Sequence, residues 1–112
     1  MNSIEVEKSK ALIIVEIIEY ISNSVVSKTI MQKTTGNISV MALDKGERLT
    51  EKISPFDSFI QIIDGNAEIT IDGKVNLLKT GESIIIPAHK ANTVTANEKF
   101  KMISTIIKSG YE

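Results

Sequence analysis

The chain has 112 residues, 13 basic against 14 acidic side chains, no cysteine, and 42% apolar residues. That is enough for one hydrophobic core, burying roughly two-thirds of the unfolded surface, and the lack of cysteine excludes disulfides, thiolate metal sites and a thiol nucleophile. A net charge of −1, with 12 Lys against a single Arg, argues against a nucleic-acid binder, which needs basic patches and favours the forked guanidinium.

No run of 18 or more apolar residues is present to span a membrane. Glu5 and Glu7 stand where a secretory signal would carry positive charge, so no signal peptide is read and the cytoplasm is the expected compartment. In the segment 3–20 neither Gly nor Pro occurs, and Ala11, Ile14, Val15 and Ile18 recur at three- and four-residue spacing. A short helix is preferred there, with a strand left open because β-branched residues weaken the helical reading. Residues 1–24 are accordingly an N-terminal helix or arm, and 25–112 a single domain.

From Val25 the pattern changes to short strands with turn signals every eight to twelve residues, the rhythm of a sandwich or barrel. Ile, Val and Thr make up 36 of the 112 residues. Strands are expected at 25–31, 38–43, 48–53, 59–64, 67–71, 75–78, 83–86, 93–96 and 100–107. Asp72-Gly73 is the best hairpin signal, since both residues tolerate the positive φ of a two-residue turn. Pro87 ends the Ile84-Ile85-Ile86 strand because proline cannot donate to a ladder. Alternation puts Ser58, Ile60 and Ile62 on one side and Phe59, Gln61 and Ile63 on the other. It likewise opposes Phe100, Met102, Ser104 and Ile106 to Lys101, Ile103, Thr105 and Ile107. Both faces carry apolar groups. One face could line a cavity while the other packs on a second sheet or subunit, or the outer apolars could be scattered surface residues.

Gly46 and Gly65 bracket Lys52, Ser54 and Ser58, and further on Gly81 and Pro87 are followed by His89, Asn92 and Ala96. In this spacing the chain resembles a small single-domain bacterial cupin, a family that carries G-x5-H-x-H-x3,4-E-x6-G followed by G-x5-P-x-G-x2-H-x3-N. Gly46 and Gly65 match the glycines of the first motif, with Lys52, Ser54 and Ser58 at its two His and its Glu. Gly81 and Pro87 match the second, with His89 at its Gly, Asn92 at its His and Ala96 at its Asn. The resemblance covers residues 20–108 and implies an all-β small cupin-type barrel, a double-stranded β-helix or jelly roll, and a homodimer.

Active cupins hold a divalent metal on those His and Glu side chains. An ammonium has no lone pair to give, and hydroxyls or an amide are weak ligands without imidazole or carboxylate to anchor them. The resemblance therefore implies a barrel without its metal or any other cofactor, and no metal-dependent activity carries over. What remains is a pocket of Lys52, Ser54, Ser58 and Asn92 with Ile60, Ile62, Phe100 and Met102 as apolar walls, suited to a small anionic metabolite. For Lys52 itself the preferred reading is a flexible side chain solvated at the barrel mouth, with the anion site and a base or Schiff-base lysine as the alternatives. His89, the only histidine, is read as a turn residue of positive φ rather than a catalytic base. Three functions stay open: a metal-free binding module, which is preferred, a structural domain whose barrel fills itself, and an enzyme.

Overall fold

The computed structural model describes residues 5–110. Eight antiparallel strands follow one another: β1 (Val25–Lys33), β2 (Gly36–Leu43), β3 (Arg48–Lys52), β4 (Ser58–Ile71), β5 (Lys74–Lys79), β6 (Ser83–Ile86), β7 (Asn92–Thr95) and β8 (Phe100–Ile107). Hydrogen bonding runs β1-β2-β8-β4-β7-β3, with β5 and β6 also joined to β4. The sheet curls into two facing walls, as expected of a small all-β barrel. One wall holds β1, β2, β8, β6 and the start of β4, and the other holds β3, β7, β5 and the end of β4.

Expected strand limits hold to within two residues with one exception. The strands expected at 59–64 and 67–71 are a single strand of 14 residues. Gly65, which falls in the expected break between those two strands, lies at φ +78 beside a register shift between Ile62 and Asp64. It bends the strand without stopping it, as a β-bulge does. Before the bend β4 pairs with β6 and β8; after it, with β5 and β7. Asp72 (φ 50) and Gly73 (φ 81) do form the two-residue turn joining β4 to β5.

Between the walls lies the main core, where Leu43, Ile62, Ile69, Ala96 and Phe100 are fully buried and Met102 nearly so. Each large side chain here contributes about 1.5–3 kcal/mol through burial. A second, smaller core forms on the outer side of the first wall, where Ile18 covers Val40 and Ala42, flanked by Ile17 and Tyr20. Part of the outward apolar face is thus covered by the chain's own N-terminal arm.

That arm is not an α-helix. Its described part, from residue 5, contains one 3-10 turn at Ile14–Glu16, and residues 1–4 of the expected element lie outside the described residues. The β-branched residues Val15, Ile17 and Ile18 serve scattered long-range contacts rather than one helical stripe. Val6 N donates to Ile30 O (3.1 Å) and Lys101 Nζ donates to Val15 O (2.7 Å). Tyr20 Oη donates to Asp64 Oδ2 (2.6 Å), and the ammonium groups of Lys99 and Lys101 lie 4.8 and 4.9 Å from the Tyr20 ring centroid. Among the described residues no helix is long and apolar enough to cross a membrane.

Burial, followed by the hydrogen bond to Asp64 and its charge, pushes the Tyr20 hydroxyl above the usual phenol range. The folded state therefore holds this proton more tightly than the unfolded chain. Its stabilisation is complete below an unfolded phenol pKa of about 10 and is lost as pH rises beyond that value. Tyr20→Phe is expected to cost about 1 kcal/mol, the partial exposure of the pair reducing the usual worth of a hydrogen bond to a charged group. Urea midpoints at neutral pH and near pH 11 check this. The gap between wild type and Tyr20→Phe narrows at the higher pH, and a constant gap refutes the coupling.

Candidate functional site

Where the two walls face each other they enclose a cavity of about 210 Å³. Strand alternation supplies its lining. From the first wall come Met41 of β2, Ser58 and Ile60 of β4, Ile86 of β6, and Met102, Ser104 and Ile106 of β8. From the second come Leu49 and Lys52 of β3 and Asn92 and Val94 of β7, with Ser54 from the loop after β3. Register explains the neighbours: Ser58 lies opposite Ile106, Ile60 opposite Ser104, Met41 opposite Met102, and Lys52 opposite Asn92.

Lys52, Ser54, Ser58 and Asn92, singled out by motif spacing, therefore all border one cavity, together with Met102 and Ile60. Phe100 does not. It sits one row deeper, fully buried, paired with Leu43 and Gly65. Ile62 is likewise core rather than wall. Alternation tells which side of a strand a residue takes but not how far along the barrel the space extends. The same alternation, applied to Ser104 and Ile106, would have added both to the lining. Leu49, Val94, Ile86 and Met41 required knowledge of which strands pair.

The polar groups are unequal. Asn92 is 3% exposed, and its Nδ2 donates to the carbonyls of Lys52 (3.3 Å) and Lys90 (3.4 Å). Ser54 Oγ accepts from Phe56 N (3.1 Å), while Ser54 O accepts from His89 N (2.7 Å). His89 has φ 67, the expected left-handed turn conformation, and its exposed ring is not part of the cavity lining. Asp57 Oδ1 accepts from Ala88 N (2.7 Å). These bonds stitch the loop after β3 to the loop after β6. Lys52 is exposed.

Among the described residues no three His, Cys, Asp or Glu side chains come together as metal ligands. The cavity offers an ammonium, three hydroxyls, an amide and two thioethers. That donor set does not fit the divalent metal that active members of the resembled family hold at these motif positions, which wants imidazole and carboxylate.

Neither a protein-family model nor a curated protein sequence matches the chain. Solved structures do. A conserved protein of unknown function from Streptococcus pyogenes is 31% identical over 98% of this chain and 97% of its own, with a TM-score of 0.89. A cupin 2 conserved barrel domain protein from Leptotrichia buccalis is 34% identical over 84% of this chain, with a TM-score of 0.82; the match spans 46% of that protein's length. A cupin superfamily protein from Desulfitobacterium hafniense is 26% identical over 92% of this chain and 94% of its own, with a TM-score of 0.86.

Proposed function

Since the chain belongs to the cupin superfamily, we propose that it works in the cytoplasm as a metal-free, non-catalytic domain that binds a small molecule in the cavity between its walls. One observation carries this reading. The four positions at which the motifs put metal ligands hold Lys52, Ser54, Ser58 and Asn92, and all four border the same cavity. A volume of about 210 Å³ corresponds to roughly seven waters, which suits a small metabolite. It also weighs against a barrel filled by its own side chains. The exposure of Lys52 weighs against a lysine-based enzyme.

The purified protein, incubated with several divalent ions and then dialysed, is expected to retain no stoichiometric transition metal by elemental analysis. Near-stoichiometric metal overturns the metal-free reading. A thermal-shift screen of small acids and sugars is expected to give a hit that Ser104→Leu abolishes, because the isobutyl group occupies cavity space. No hit, or a hit unaffected by Ser104→Leu, counts against cavity binding.

We also propose a homodimer. Ile85, Phe59, Thr105, Ile38 and Met31 are successive register partners across β6, β4, β8, β2 and β1. Ile85, Phe59 and Met31 are exposed, as is Ile107 at the end of β8. This uncharged row adjoins the seat of the N-terminal arm, and a net charge of −1 puts up little repulsion between copies. Light scattering at about 100 µM is expected to give the dimer mass for wild type and the monomer mass for Phe59→Lys/Ile85→Lys. A wild-type monomer refutes it.

A further inference from the structure

The cavity is electrically one-sided. None of the residues lining it is acidic, and Lys52 is the one charged residue among them. Lys52 takes part in none of the four ion pairs found among the described residues. A cationic ligand would meet an ammonium and no carboxylate. The hydrogen-bonding groups narrow the class further. Both donors of the Asn92 amide are taken up by the Lys52 and Lys90 carbonyls, so an anion is not met there. Ser54 Oγ already accepts from Phe56 N, which leaves its own proton to donate. Seven of the twelve lining residues are apolar, too many for a sugar or polyol that wants hydrogen bonds on every side.

Building on the binding reading above, we infer that the ligand is a small organic monoanion with a hydrocarbon body. Its carboxylate lies at the mouth against Lys52 and Ser54, and its body rests on Met41, Met102, Ile60 and Val94. The capacity of roughly seven waters admits an aromatic or short branched acid and leaves no room for a nucleotide. The polarity is set by the fold: Lys52 ends β3 and Ser54 opens the loop that follows, whereas Met41 and Met102 face each other across two strands of the opposite wall.

Benzoate and benzamide, nearly the same in shape and different in charge, separate this inference from the reading it rests on. The full-length protein with ¹³C-methyl methionine reports occupancy through the Met41 and Met102 signals. Benzoate is expected to move both and to bind about threefold more tightly than benzamide, the size of effect an exposed charge pair supplies. The advantage shrinks as salt is raised and vanishes in Lys52→Met, which still binds benzamide. Equal affinities, or an advantage that survives in Lys52→Met, overturn the anion while leaving cavity binding in place. Silence of both methyl signals toward both probes also overturns the inference, and the thermal screen then judges the binding reading separately.

Discussion

Replacing Gly65 by alanine is expected to destabilise the fold by about 3 kcal/mol or more, placing it among the severe single substitutions. A Cβ built there meets the Lys99 carbonyl oxygen at 2.3 Å and Phe100 Cα at 3.0 Å, at φ +78. The left-handed conformation alone costs an L-residue about 1–2 kcal/mol; the remainder comes from two backbones that would have to separate. Gly73 is the matched control, with φ +81 and nothing within 4 Å of its built Cβ. Gly73→Ala is expected to lose only the conformational part, about 1–2 kcal/mol. Urea denaturation of the two variants isolates the close approach, and equal losses would show that the contact beside Phe100 is relaxed at little cost.

Phe100→Ala is expected to cost about 3–5 kcal/mol, since it empties the centre of the core. Phe100 is fully buried between Leu43 and the bend in β4, whereas Phe59 is 42% exposed on the outer face. Phe59→Ala is therefore expected to cost about 1 kcal/mol or less in a monomer. Its effect should appear instead in the concentration dependence of association. Similar losses for the two phenylalanines in dilute urea titrations would contradict the assignment of inner and outer faces.

What could be read from the residues alone follows from how local each signal is. Asp72-Gly73 and His89 announce their turns because backbone sterics belong to the residue itself. The Ile, Val and Thr alternation likewise marks strands and their two faces. Gly65 misled because a bulge and a reversal both use positive φ, and only the partners of β4 distinguish them. The N-terminal segment misled for a related reason. Three- and four-residue spacing suits a helix, but Ile18 and Tyr20 are placed by Val40, Ala42 and Asp64, all at least 20 residues further along the chain. At the site, motif spacing identified the polar quartet, while depth and the facing wall depended on the non-consecutive pairing of β2 with β8 and of β3 with β7.

The single strand shared by both walls has a kinetic consequence. Because β4 is hydrogen-bonded to β5, β6, β7 and β8, the walls cannot swing apart without tearing the ladder along its length, and amide exchange should be slowest there. Traffic into the cavity is left to the rim, where His89 N–H bonds Ser54 O and Ala88 N–H bonds Asp57. If the proposed ligand binds there, its association is expected to be paced by these two loops rather than by the walls behind them. Substitutions at 88 and 89 should change how quickly a ligand enters and leaves more than how tightly it is held.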